Sequence, residues 1–410
     1  MLPLAAGVEF LETPLLVFGL LLAGGALISG LAHRSFLSLT AAFVVAGFLL
    51  GHGGLGVLDL DPESGFVQGL AVIALILILF RDGLEVEQEM LQNAWHVPFR
   101  TLILAMPLTA GLVALATHTL TNLGWTESFL VGALLSPTDP VLSSSVVTNP
   151  RVPEMIRHSL NLESGLNDGL ALPAVLAFTA AVEAREDFVW WEFVLQDIGV
   201  GLVTGLVVAF IAARLMPRER GLGAEISPHQ KSLYGLAVAF AAYGVAVVPP
   251  QGNGFISVFV AAIAFGIWRP DVRECFEHRA EDVIEVVKLG VFLVFGAILT
   301  LEVLTEDGFV AVAIALFTLL AARPIAILIA LAGNRQVDGA EKAFMAWFGP
   351  KGVATMTFAL FVLGSAAPAA ERITGIAALT VFISIILHGL SDHPGSEWMA
   401  RRAERAAAAA

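Results

Sequence analysis

The sequence predicts an all-α integral membrane protein with about 13 transmembrane helices in two inverted six-helix repeats, its fifth and twelfth spans broken and crossed. Three observations predict this. The whole chain is apolar, the basic residues between apolar stretches fall on one side, and two antiparallel stretches are interrupted by proline or glycine around a charge. Of 410 residues, 57% are hydrophobic and only 14% charged, and the mean hydropathy is +0.82. A soluble globular chain is about 45–50% apolar and about 25% charged, so most of this chain must lie in lipid. No separate soluble domain fits.

Apolar stretches fall at about 13–31, 36–51, 66–80, 97–117, 126–147, 155–182 and 188–213, then at about 232–249, 255–268, 284–300, 308–332, 340–364 and 371–389. Lipid offers backbone groups no partners, so each must be a helix or part of a closed barrel. Barrel strands are about ten residues long and alternate in polarity; these runs are longer and uniformly apolar, hence helical. The amphipathic stretch between 82 and 96 reads as lying at the interface. With the N-terminus outside, 18 of the 22 lysines and arginines fall on the cytoplasmic side, Arg185 and Arg372 fall outside, and Arg323 and Lys351 lie within spans. That asymmetry is the positive-inside bias expected when the span count is right. The reading is a multi-pass protein of the plasma (inner) membrane. Residues 1–390 form its membrane domain, and 391–410 form a short cytoplasmic tail with no room for a regulatory domain.

The same composition excludes other classes. A net charge of −14 without a basic cluster argues against nucleic-acid partners. A single cysteine, Cys275, excludes an intramolecular disulfide and a cysteine metal site. The nine histidines form no metal-binding pair and none lies near the Ser/Asp cluster in sequence; no cofactor is expected. The first apolar segment lacks a basic leader and a cleavage site, so it reads as a retained span. Acidic outer connections at 59–64, 183–187 and 304–308 read as solvated loops. Trp190 and Trp191 read as interfacial anchors. Gly201 and Gly205 form a GxxxG pattern suited to close helix packing, whether within one chain or in a dimer.

Function is concentrated in charges where lipid should exclude them. Asp139, Glu163, Asp168 and Lys351 lie well inside spans, with Arg323 nearer the cytoplasmic half. Each such charge costs roughly 2.5–3.5 kcal/mol even on a lenient insertion scale. Static ion pairing of the bundle is one explanation, and a proton or ion pathway is the other.

In the fifth span, Pro137 and Pro140 bracket Thr138 and Asp139, so backbone hydrogen bonds are lost and the helix must break. Freed carbonyls at membrane depth are tolerated only where they line a cavity or bind something. In the twelfth span, Gly349, Pro350 and Gly352 break the helix around Lys351. The two spans occupy corresponding places in two halves about a linking seventh span and run in opposite directions, the mark of an inverted-repeat transporter. Facing half-helix ends carry partial charges of both signs, which Asp139 and Lys351 can offset. In the sixth span, Ser164 and Asp168 share one helix face, with Asn167 beside Asp168 and Glu163 one position round. Carboxylate, amide and hydroxyl oxygens suit a small alkali cation. Burial favours the protonated carboxylate, so one group can hold a proton or a cation but not both.

At these residues the chain resembles the monovalent cation:proton antiporters, in their sodium/proton exchanger branch of the NhaP and NHE type. SPTDP at 136–140, ESGLND at 163–168 and FGPKGV at 348–353 carry the resemblance. It implies Na⁺ (or Li⁺) exchanged for H⁺, with Asp168 binding ion and proton, Asn167 as its helix-stabilising neighbour, and Ser164, Thr138 and Asp139 completing the coordination. It further implies that Glu163 pairs with the basic residue of the twelfth span, Lys351. An elevator-like six-helix core moving against a dimerising scaffold, and so a homodimer, also follow from it.

Two departures stand out. Such exchangers usually carry arginine where this chain has Lys351, and a phenylalanine–glutamate–glycine–glycine run where it has Phe80-Arg81-Asp82-Gly83. The glutamate that can touch the ion through water is missing, and Asp82 is its nearest stand-in. Electrogenic relatives have two aspartates where this chain has Asn167-Asp168, so one-for-one, electroneutral exchange is expected. Arg323 reads as structural, bonding a helix end or a carboxylate, and Ser143, Ser144 and Ser145 read as path-lining or packing serines. The alternatives are a K⁺/H⁺ exchanger of the same fold, a sodium-coupled organic-solute symporter and a membrane-embedded aspartyl protease. The protease lacks its Tyr-Asp partner element, since neither Tyr234 nor Tyr243 precedes an aspartate.

Overall fold

The computed structural model describes residues 9–32, 39–85, 96–139, 144–184, 188–217, 226–248, 251–305 and 307–409. All secondary structure among the described residues is helical. In chain order the helices are α1 (Glu9–Ala32), α2 (Leu39–Leu50), α3 (Gly65–Leu84), α4 (His96–Leu120), α5 (Trp125–Leu134), α6 (Ser144–Thr148), α7 (Glu154–Ala184) and α8 (Trp190–Leu215). Then follow α9 (Pro228–Ala246), α10 (Gly254–Trp268), α11 (Pro270–Ile298), α12 (Leu301–Thr305), α13 (Phe309–Ala330), α14 (Gly339–Trp347), α15 (Val353–Leu363) and α16 (Ala370–Ala409).

Each apolar stretch coincides with a helix or, for the fifth and twelfth, with a helix pair: α5 with α6, and α14 with α15. Six helices are individually long and apolar enough to cross a membrane, and α10 with the start of α11 makes a seventh candidate, bent by 116°. Of the amphipathic stretch read between 82 and 96, residues 82–84 end α3 and 86–95 lie outside the described residues, as do Pro140, Ser143 and Arg185.

Local chemistry sets the helix starts. Ser64 caps α3 through Val67 N, and Asn253 caps α10 through Phe255 N and Ile256 N. Ser227–Gln230 and Asp338–Glu341 form reciprocal capping boxes at α9 and α14. The corner between α10 and α11 turns on Arg269, whose buried guanidinium donates to Met216 O at 2.6 Å and bridges to Asp271. That hydrogen bond from Arg269 holds the Asp271 carboxyl below the usual range. Helices α4 and α13 each widen into a π-helical stretch, Thr101–Ala105 and Thr318–Ala322. In both, the stretch ends one residue before an X-Pro pair, Met106-Pro107 and Arg323-Pro324, where the missing N–H disrupts the ladder.

Packing divides the helices into two groups. α2, α3 and α8–α11 pack on one another, as do α4–α7 and α13–α16; α3, α7, α10 and α15 meet between the groups. A separate apolar cluster closes the second group where α4, α6, α7, α13, α14 and α16 converge, from Val97 and Val146 to Phe348 and Met399.

Three findings refine the sequence reading. Gly201 and Gly205 are used within the chain: a Cβ on Gly201 would meet Asn253 O at 2.8 Å and one on Gly205 would meet Ser257 O at 2.5 Å, so the pattern serves α8–α10 packing. Lys288, counted with the cytoplasmic connections, is 3% exposed within α11. Finally, α16 runs 40 residues without a break past position 390, about 60 Å at 1.5 Å per residue. This extension of α16 is tied to the rest of the chain by Arg151 to Glu397 and Glu404, and by Arg402 to Asp338.

A branched residue at Gly205 must force α8 from α10. Gly205→Val is expected to cost about 1–3 kcal/mol, read as a lowered melting midpoint of the purified protein in detergent. An unchanged midpoint would contradict this packing.

Candidate functional site

Leu135–Asp139 follows α5 without helix, and Phe348–Gly352 separates α14 from α15. The two unwound stretches touch through Asp139 N, which donates to Pro350 O at 2.8 Å. Buried backbone groups must find partners, and here charged side chains supply several of them. Lys351, fully buried, donates from Nζ to Ser136 O at 3.1 Å and Pro137 O at 2.9 Å, at the negative end of α5. Arg323 donates from Nη2 to Phe348 O at 3.2 Å, just past the end of α14. Asp139 Oδ2 accepts from Val353 N at 2.9 Å, at the positive end of α15. Asp392 Oδ2 accepts from Ser145 N at 3.1 Å in the first turn of α6. Each half-helix end thus meets a charge of the opposite sign, as the macrodipole favours.

The glycines of the second break are fixed by close approach. A Cβ on Gly349 would occupy the Arg323 guanidinium, and one on Gly352 would occupy the Asp139 carboxylate. Neutral groups of α16 complete the cradle. Lys351 N donates to Ser384 Oγ at 2.8 Å, and His388 bridges Ser384 Oγ (Nδ1, 3.2 Å) to Trp347 O (Nε2, 3.0 Å).

α7 passes this crossing with the sixth-span residues. Asn167 donates from Nδ2 to Thr138 Oγ1 at 2.7 Å and Thr138 O at 3.2 Å, tying α7 to the first break. Ser164 turns its hydroxyl onto Leu160 O and Asn161 O, both at 3.0 Å, which leaves its lone pairs available. Asp168 is 6% exposed, and its Oδ1 has no hydrogen-bond partner among the described residues. Its charged neighbours include Asp82, Asp139, Arg81, Lys288 and Lys351. Thr138, Asp139, Ser164, Asn167 and Asp168 are therefore brought to one place, with hard oxygens suited to an alkali cation.

The charge pairing differs from the sequence expectation. Glu163 binds Arg323, Nη1 to Oε1 at 2.7 Å with both residues 4% exposed, and Lys351 is engaged elsewhere. The reason is geometric: Lys351 is consumed by the carbonyls ending α5, while the planar guanidinium of Arg323 reaches both a carboxylate and a carbonyl. Arg81, Asp392, His388 and Ser384 were missed by sequence reasoning. Asp392 falls in the segment read as tail, where only a helical extension of the last span would have placed it, whereas His388 lies within that span without a charged or motif signal.

A sequence model of the family described as "Sodium/hydrogen exchanger, transmembrane" matches residues 20–397, and the chain belongs to that family. It is 24% identical over 384 residues to the K(+)/H(+) antiporter NhaP2 of Shewanella oneidensis, covering 92% of this chain and 65% of that protein. It is 25% identical over 399 residues to the K(+)/H(+) antiporter NhaP of Alkalimonas amylolytica, covering 95% of this chain and 67% of that protein. A probable Na(+)/H(+) antiporter 2 of Methanocaldococcus jannaschii is 25% identical over 364 residues, covering 84% and 83%. The chain thus spans about two thirds of the length of the first two relatives. The structure of the sodium proton antiporter MjNhaP1 from Methanocaldococcus jannaschii shares the fold, with a TM-score of 0.80 at 19% identity over 96% of this chain and 100% of that one. Family membership indicates a transporter rather than an enzyme and gives no support to the symporter or protease alternatives.

Breaking a buried ion pair from one side costs about 3–5 kcal/mol. Glu163→Gln and Arg323→Gln should each lower unfolding midpoints sharply, and the double variant should cost clearly less than their sum. Additive costs would contradict the pair, as would comparable coupling between Glu163 and Lys351.

Proposed function

We propose that this protein exchanges one alkali cation for one proton across the membrane, with Asp168 as the group for which they compete. The observation that carries the reading is the buried Asp168 Oδ1, unpartnered among the described residues, at a crossing where Glu163, Arg323, Asp139 and Lys351 are all engaged by the protein. An ionised carboxylate buried this way favours binding a proton or a cation, and no described residue hydrogen-bonds its Oδ1.

Thr138, Ser164 and Asp139 complete the ligand set, and Asn167 holds the first break against α7. The reading includes thirteen crossings in two inverted halves, with the N-terminus outside, in the plasma membrane. The matching π-helical stretches of α4 and α13, and the reciprocal charges at the broken helices, support that symmetry. The helix grouping supports a moving core of α4–α7 and α13–α16 against a scaffold that dimerises. With Asn167 in place of a second aspartate, one exchangeable carboxylate remains, so exchange is electroneutral.

Na⁺ is the first assignment for the cation. K⁺ is the second, favoured by the names of the Shewanella and Alkalimonas relatives.

Proton movement in proteoliposomes, driven in turn by Na⁺, Li⁺ and K⁺ gradients, tests the reading. Wild type is expected to exchange with at least one of them, Asp168→Asn to be inactive, and an imposed membrane potential to leave the end-point ion ratio unchanged. Exchange by Asp168→Asn would overturn the role of Asp168, and a potential-dependent end point would overturn the stoichiometry.

A further inference from the structure

The end of α3 holds charges that this exchange scheme leaves unused. Arg81, Asp82 and Glu85 lie at its last turn and cap. Side-chain exposure rises stepwise among them, from 1% at Asp82 to 19% at Arg81 and 38% at Glu85. Arg81 grips Asp82 Oδ1 with Nε at 2.8 Å and Nη2 at 2.5 Å, and its Nε lies 3.5 Å from Glu85 Oε1. Asp82 Oδ2 is buried and, like Asp168 Oδ1, has no partner among the described residues. Glu85 Oε2 sits 3.8 Å from where a Cβ on Gly165 would lie, about one turn from Asp168 on α7.

Two carboxylates near each other in a low-dielectric site raise each other's hold on protons and cations. Uncompensated, Asp82 would add a second negative charge to the neighbourhood of Asp168. The guanidinium removes that charge at every working pH, because arginine does not deprotonate. It also lies at a level of burial between half-buried Glu85 and fully buried Asp82. Lys288 of α11, 3% exposed, and fully buried Lys351 are further basic groups among the neighbours of Asp168.

We propose that Arg81 is a tethered counter-cation that neutralises Asp82, sets the affinity for the transported cation, and leaves Asp168 as the single exchangeable carboxylate. The proposal rests on the exchange reading above. It makes Arg81 a specificity-determining residue and Asp82 a held charge, where sequence reasoning offered Asp82 as an ion contact.

Arg81→Gln, Asp82→Asn and the double variant, assayed in proteoliposomes for the cation dependence of exchange beside Asp168→Asn, decide it. Arg81→Gln should lower the cation KM by about threefold or more, as an added unit charge in a partly buried site requires. Asp82→Asn, leaving the guanidinium without its buried partner, should raise it by a similar factor, and the double variant should move back toward wild type. A structural ion pair alone would reduce folded yield without opposite KM shifts. An unchanged or raised KM in Arg81→Gln, or a double variant that keeps the Arg81→Gln value, would overturn the proposal. If Arg81→Gln does not fold, the Asp82→Asn KM decides, and an unchanged or lowered value sinks the idea. Exchange that survives Asp168→Asn would instead remove the exchange reading itself, whatever the Arg81 variants show.

Discussion

Backbone polar groups cannot go unpaired inside a membrane, and two breaks at the centre of this bundle expose several at once. The surrounding structure answers that constraint. Lys351 and Arg323 take up carbonyls beyond α5 and α14, Asp139 and Asp392 take up amides starting α15 and α6, and His388 with Ser384 holds the rest of the second break to α16. These partners come from helices distant in sequence, so the breaks are also the points at which α7, α13 and α16 are registered to one another. A chain that merely needed to cross the membrane would avoid the breaks altogether.

Satisfying the breaks is what isolates Asp168. Had the half-helix ends been left to it, its carboxylate would be a structural cap like Asp139. Because the protein provides other charges for that task, Asp168 keeps a buried oxygen uncommitted beside Thr138, Ser164 and Asn167. Arg81 extends the same logic to Asp82. The charged groups at the two breaks are engaged by the fold, whereas Asp168 Oδ1 has no hydrogen-bond partner among the described residues.

Much of this was legible in the sequence because the signals are local. Prolines and glycines at 137, 140, 349, 350 and 352 announce the breaks, and apolar length announces the helices. The pairing was not legible. Arg323 and Lys351 are both basic residues inside neighbouring spans, and which one meets Glu163 depends on where α13 passes the end of α14 after its π-helical stretch. Lys288 was counted with the preceding basic connection although it lies near the start of the apolar stretch at 284–300, inside α11. Asp392 looked like tail because hydropathy ends where the α16 helix does not. Gly201 and Gly205 carried the right packing signal without naming the partner helix.

Competition between proton and cation at one carboxylate makes binding and deprotonation a single linked event. Calorimetric titration of the purified protein with its cation, in two buffers of different ionisation enthalpy at a pH where Asp168 is protonated, measures that linkage directly. The account predicts about one proton released per cation bound. Cation binding with heats independent of the buffer would mean that no proton leaves, and would contradict it.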